Sequence, residues 1–257
     1  MKIISIINQK GGTGKTTTAV NLSSCLASEF GKQVLLIDFD PQGNATTNLN
    51  LNKQENGNIY DVLINKDNIN KNIVKTVVNG LSVIKSNISL AKGEQELIFQ
   101  TNGELRLKKT LMKIENDFDY IIIDCPPSLG LLTINALSTS TDVIIPMETA
   151  EFPLEGISDL FDTIETVREE TNENLNIMGI LLTKYDLRTT VSKMVLEKLQ
   201  EQLKDLLMKT IIKVNIKITE AQFNKKPVNL YDSTCNGTLN YIELAKEVLG
   251  NAWKNRR

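Results

Sequence analysis

The first strand of this chain runs straight into a cluster of glycine, lysine and threonine, and that junction limits the fold more than any other feature. Met1-Lys2-Ile3-Ile4-Ser5-Ile6-Ile7 leads through Asn8 into Gln9-Lys10-Gly11-Gly12-Thr13-Gly14-Lys15-Thr16-Thr17, and a helical pattern follows over residues 16–30. Glycines let successive backbone N–H groups curl toward one anion. The positive end of the following helix strengthens that field. Lys15 places a charge on the outer phosphates of a nucleotide, and the Thr16 hydroxyl can ligate Mg²⁺. Lys10, Gly11, Gly12, Thr13, Gly14, Lys15, Thr16 and Thr17 therefore read as a phosphate cradle between a strand and a helix. A general phosphate loop carries glycine where this chain has Gln9, so Lys-Gly-Gly-x-Gly-Lys-Thr is a narrower pattern than that loop.

Short apolar runs recur at residues 3–8, 34–39, 81–86, 119–124, 143–147, 177–183 and 210–214, mostly separated by longer helical patterns. Strands apolar on both faces, alternating with helices, predict a parallel sheet covered on both sides. Right-handed crossovers make it doubly wound. The fold class is α/β: a single doubly wound, mostly parallel sheet flanked by helices, in one domain over residues 1–257. Residues 44–80, rich in Asn and Lys, read as a partly irregular excursion. Val195, Leu196, Leu199, Leu203, Leu206 and Leu207 recur at helical spacing and predict a core-facing stripe.

Two of the strands end in carboxylates, in Ile37-Asp38-Phe39-Asp40-Pro41 and Ile123-Asp124-Cys125-Pro126-Pro127. In such sheets ligands bind beyond the C-terminal strand ends. Asp124 is placed to hold Mg²⁺ through water, and Asp40 to face the γ-phosphate and orient the attacking water. Asp38 reads equally as part of the outer Mg²⁺ shell or as structure. The bland alternative for an aspartate that ends a strand is turn chemistry. Phosphoryl transfer asks for positioning and charge neutralisation rather than covalent work, so Lys10, Lys15, Asp40 and Asp124 form the catalytic set.

Composition narrows the function classes. The chain has no histidine, which removes His-based catalysis and most zinc chemistry. Its three cysteines, Cys25, Cys125 and Cys235, show neither metal spacing nor a disulfide framework, as expected of a reducing cytoplasm. No apolar run approaches the roughly 20 residues of a membrane span. The net charge is −2, so any attraction to DNA must come from a local patch. Residues 209–257 carry nine Lys/Arg against four Asp/Glu, which reads as a solvated surface or as such a patch.

With these motifs in hand, the chain resembles the ParA/Soj family of deviant Walker A DNA-partitioning ATPases. Residues 8–21 resemble its deviant Walker A loop, 35–46 its second motif, and 119–129 its Walker B strand. Asn58-Ile59-Tyr60-Asp61-Val62-Leu63, Leu154-Glu155-Gly156, Thr183-Lys184-Tyr185-Asp186-Leu187-Arg188-Thr189, Glu220-Ala221 and Lys226-Pro227 resemble further family segments. The resemblance implies ATP and Mg²⁺ as cofactors and an ATP-dependent sandwich homodimer, with Lys10 contacting the partner's nucleotide. It also implies non-specific binding of double-stranded DNA, release by slow hydrolysis under a ParB-type partner, and a cytoplasmic protein that joins the nucleoid when ATP-bound. Because the chain starts at its first strand, it is expected not to be a long, self-repressing member. The DNA-binding set carried over is Lys213, Lys217, Lys225 and Lys226 with Arg188. Three departures weaken that set: Val214 and Lys217 stand where arginines are common, and Gln222 replaces a proline. A lysine meets phosphate as a point charge without the bidentate fork of arginine.

A MinD-like membrane-associated regulator is the competing reading. It needs an amphipathic tail, for which Leu244, Val248, Leu249 and Trp253 with Lys254, Arg256 and Arg257 offer a modest face, so no stable membrane association is expected. A nitrogenase-type reductase would need cluster cysteines that this chain does not supply.

Overall fold

The computed structural model describes residues 1–55, 57–114, 117–149 and 157–254. Eight strands form one sheet: β1 (Lys2–Ile6), β2 (Val34–Asp38), β3 (Ile73–Lys75), β4 (Leu81–Ile84), β5 (Tyr120–Asp124), β6 (Asp142–Glu148), β7 (Asn176–Tyr185) and β8 (Leu207–Lys213). Their order is β3-β4-β2-β5-β1-β6-β7-β8. Every pairing is parallel except that of β3 with β4.

The central strands are buried at nearly every position, which is why they are apolar runs rather than alternating ones. Side chains on a strand point alternately to its two faces, and two cores result. Ile3, Leu35, Ile37, Ile121 and Ile123 join one of them. Ile4, Ile6, Leu36 and Ile122 join the other, under Leu22 and Leu26 of the phosphate-loop helix (Lys15–Ser28) and Leu244 and Val248 of the terminal helix (Asn236–Lys254). Val195 and Leu199 are buried in the first core, with Leu196, Leu203, Leu206 and Leu207 packed against it, so the leucine stripe faces inward as its spacing predicts.

Two parts of the sheet depart from the sequence expectation. Among the described residues, the excursion at 44–80 contains three short helices, Asn44–Asn48, Ile59–Leu63 and Ile69–Asn72, followed by the antiparallel edge strand β3. That strand has only three residues, none of them buried, so no apolar run announces it. The last strand begins at Leu207, ahead of the expected 210. As an edge strand β8 has N–H groups to satisfy. Glu247 on the terminal helix accepts from Lys209 N at 2.8 Å and Thr210 N at 2.9 Å, and Asn240 accepts from Lys213 N at 3.1 Å. The Leu154-Glu155-Gly156 segment lies outside the described residues.

The link between β2 and the Asn44–Asn48 helix turns at Gly43, whose φ is +62°, and a Cβ there would sit 2.7 Å from the Ser86 carbonyl oxygen. Both the backbone conformation and the close approach require glycine. Gly43→Ala is expected to cost about 1–3 kcal/mol, the usual range for a side chain forced into such a conformation. Urea unfolding with an unchanged m-value checks it, and a midpoint equal to that of the parent chain would contradict it.

Candidate nucleotide site

Residues 9–14 form a loop beyond the C-terminal end of β1, and Lys15, Thr16 and Thr17 open the helix that follows. Gly12 and Gly14 have φ of +78° and +89°, conformations that other residues rarely adopt, and a Cβ built on Gly11 or Gly12 would meet open space. The curl therefore borders an open cradle. Gly14 caps the phosphate-loop helix, with its carbonyl accepting from Thr18 N at 2.8 Å. Side chains brace the loop from several strands. Asn8 donates to the Pro146 carbonyl at 2.8 Å and accepts from Lys10 N at 2.9 Å. Thr183, at the end of β7, donates to the Thr13 carbonyl at 2.8 Å.

Charge gathers beneath this loop. The Lys15 ammonium donates to the Lys10 carbonyl at 2.8 Å, and the side chain is almost wholly buried. Burial pushes its pKa down, against the pull of Asp124, Cys125 and Asp40. Lys10 itself is exposed at the rim. Asp38 and Asp124 stand side by side, because β2 and β5 pair in parallel with those residues in register. Both are fully buried. Asp38 Oδ2 accepts from Thr46 N at 2.7 Å and Thr46 Oγ1 at 2.6 Å, while Asp38 Oδ1 and both oxygens of Asp124 have no hydrogen-bond partner.

Burial and the neighbouring Asp38 charge push the Asp124 carboxyl well above the usual carboxylate range. The nearby Thr16 hydroxyl opposes that shift. Burial likewise raises Asp38, opposed by its bonds from Thr46. Two adjacent buried carboxylates with three orphaned oxygens are costly alone and suit a cation. Among the described residues there is no cluster of three or more acidic, thiol or imidazole ligands. The unpartnered Asp38 and Asp124 oxygens beside the phosphate loop fit Mg²⁺, which keeps several waters and takes one or two carboxylates plus phosphates rather than an all-protein cage.

Asp40 is placed differently. Its Oδ1 accepts from Gln42 N at 2.9 Å and its carbonyl from Gly43 N at 2.8 Å, so it also serves the turn that begins there. Asp38 likewise has a structural task, since the Thr46 hydroxyl it holds accepts in turn from Ser86 N at 3.0 Å.

The lysines expected to meet DNA lie along one stretch. Lys213 ends β8, Lys217 sits in the Ile216–Phe223 helix, and Lys225 and Lys226 follow its C-terminus; Lys213, Lys225 and Lys226 are exposed. Arg188 is in the loop after β7. Two of the five already have acidic neighbours: Arg188 bonds both oxygens of Asp186 at 2.9 and 2.8 Å, and Lys217 pairs with Glu220 at 2.9 Å. In the tail, Leu244 and Val248 are buried in the core and Leu249 packs against it, so these residues are engaged by the fold. The side chains of Trp253, Lys254, Arg256 and Arg257 lie outside the described residues. No helix among the described residues is long and apolar enough to cross a membrane.

Sequence reasoning overlooked two supports of the loop. One is Asn8, a polar residue ending an apolar strand, which could have signalled an anchor. The other is Gln222, whose Nε2 donates to Thr17 Oγ1 at 2.6 Å from a remote helix.

The sequence and the fold are matched by known proteins. A family model described as an AAA domain matches residues 1–177. The chain is 47% identical over 251 residues to the sporulation initiation inhibitor protein Soj of Bacillus subtilis, covering 97% of this chain and 99% of that one. It is 42% identical to the chromosome partitioning protein ParA of Myxococcus xanthus, covering 96% of this chain and 88% of that protein. Among solved structures, cobyrinic acid a,c-diamide synthase from Mycobacterium smegmatis, with an ATP analogue and magnesium bound, superposes with a TM-score of 0.85 at 33% identity over 100% of this chain and 97% of that one. The phosphate loop, the paired strand-end carboxylates and the near-complete match to Soj and ParA together make this chain a member of the ParA/Soj family of partitioning ATPases.

Proposed function

We propose that this chain is an ATP-driven molecular switch for DNA partitioning. Mg·ATP in the cradle drives two copies into a sandwich dimer, the dimer holds DNA without sequence preference, and slow hydrolysis, stimulated by a ParB-type partner, releases it. The observation that carries the nucleotide part is the buried Lys15 near Asp124, whose two oxygens, like one of the adjacent Asp38, have no partner. Backbone N–H groups of residues 11–17 and the Lys15 ammonium hold the phosphates, and Thr16 and Asp124 hold the metal, with Asp38 behind them. Mg²⁺ supplies charge neutralisation on the β- and γ-phosphates. Asp40 orients the attacking water, and Lys10, exposed at the rim, reaches the nucleotide of the second copy.

The DNA face is Lys213, Lys217, Lys225 and Lys226 with Arg188. The ion pairs of Arg188 and Lys217 are solvent-exposed and weak, so a DNA phosphate can displace the carboxylates. One protomer presents few charges, and a two-fold dimer doubles them on one surface, which couples DNA binding to ATP. Joint Lys217→Glu and Lys226→Glu substitution is expected to leave the ATP dimer intact, weaken binding to every DNA sequence, and flatten the salt dependence by about 0.9 per lost phosphate contact. Size-exclusion and DNA-shift assays at several salt concentrations read this directly, with liposome pelleting as the parallel arm. An unchanged salt slope in a folded dimer removes this face, and ATP-dependent pelleting with lipid but not DNA favours the MinD-like reading.

A further inference from the structure

Gln222 stands where the ParA/Soj resemblance implies proline, and the structure gives that departure a task. It lies near the end of the Ile216–Phe223 helix, half-buried, and its Nε2 donates to Thr17 Oγ1 at 2.6 Å. Thr17 follows the metal-side Thr16 in the first turn of the phosphate-loop helix. An amide nitrogen can only donate, so the Thr17 oxygen is held as an acceptor and its own hydrogen is free to point elsewhere. A proline at 222 could make no such bond.

A second contact ties the same two regions. The Thr17 carbonyl accepts from Asn21 Nδ2 at 2.7 Å, and Asn21 Oδ1 accepts from Val228 N at 2.7 Å. The stretch from Gln222 to Val228 thus grips Thr17 through one side-chain bond and one relay. On the same helix, the Glu220 carboxylate accepts from Lys217 at 2.9 Å and from the Tyr231 hydroxyl at 3.0 Å. The helix that carries Lys217 is therefore seated partly on the first turn of the phosphate-loop helix.

We propose that Gln222 is a positioning residue for the nucleotide, holding the Thr17 hydroxyl as a donor toward bound phosphate and tying the seat of the Ile216–Phe223 helix to that contact. The proposal rests on the ATP-binding reading above.

Mg·ATP titrations of five full-length proteins test it: the parent, Gln222→Met, Gln222→Glu, Thr17→Val, and Thr17→Val with Gln222→Met. Methionine keeps the length and removes the donor, so the Kd is expected to rise about 3–10-fold, the worth of one net hydrogen bond. Glutamate accepts the Thr17 hydrogen instead of leaving it free, and adds a negative charge near the phosphates. Its Kd is expected to rise further than that of Gln222→Met. In the Thr17→Val background Gln222→Met is expected to have no additional effect on Kd, because the atom it acts through is gone. Thermal melts without nucleotide establish that each variant folds. A lowered Tm with the parent's Kd in both Gln222 variants reduces the contact to a structural one and overturns the proposal, as does full additivity with Thr17→Val. A parent chain that binds no Mg·ATP defeats the ATP reading itself, and the proposal falls with it.

Discussion

Lys15→Ala is expected to abolish ATP binding, while Lys10→Ala leaves binding by the monomer largely intact and removes dimerisation and turnover. The two lysines differ in placement. Lys15 is buried beneath the loop, with its ammonium 2.8 Å from the Lys10 carbonyl and the Asp124 and Asp40 charges around it. Without it, a nucleoside triphosphate would meet the Asp124 and Asp40 charges with Mg²⁺ alone to offset them. Losing a charge-assisted bond and leaving the opposing charge uncompensated costs about 3–5 kcal/mol, or some 10²–10³-fold or more in affinity. Lys10 is exposed at the rim, and in the proposed reading Lys15 supplies the phosphate charge within its own subunit. Titration of each variant with Mg·ATP, together with sedimentation in its presence, separates the two. Equal loss of affinity in both variants would refute a cross-subunit task for Lys10.

Asp40→Ala is expected to bind Mg·ATP, to hydrolyse it about 10²-fold more slowly or worse, and to accumulate as a stable ATP dimer. Loss of a group that orients the attacking water has an effect of that size. Lys15, Thr16 and Asp124 remain to hold phosphate and metal, so binding survives. Asp40 also accepts from Gln42 N at 2.9 Å, so alanine removes a turn bond together with the charge. Asp40→Asn separates the two, since an asparagine oxygen keeps the turn bond but not the carboxylate. Both variants are expected to trap the dimer, with Asp40→Asn closer to the parent in thermal stability. Single-turnover hydrolysis by preformed dimer is the measurement. An Asp40→Asn dimer that turns over at the parent's rate would assign Asp40 to the turn alone.

Much of the fold was legible along the chain because its information is local. The short runs at 34–39 and 119–124 carry apolar residues on both faces, as a strand covered on both sides requires. Their terminal aspartates mark the ligand edge by position alone. β3 was not legible, since three residues without a buried side chain carry no periodic signal and owe their strand to the pairing Ile73↔Ile84. Lys217 and Arg188 were legible as cations but not as members of ion pairs with Glu220 and Asp186. Gln222 was visible only as a departure from pattern.

The sequence by itself determined the candidate phosphate cradle, the class of sheet and the candidate carboxylates, because each follows from neighbouring residues: glycines that curl a loop, a helical pattern from Thr16, apolar runs that end in aspartate. Only the tertiary structure decided what these groups meet. Parallel pairing in register sets Asp38 against Asp124 and leaves three of their oxygens without partners. The C-terminal half of the chain folds back so that Gln222, 205 positions away, reaches Thr17. Such contacts depend on strand order and on how the helices seat against the sheet, and those are set by burial of two whole cores, which no short stretch of sequence carries.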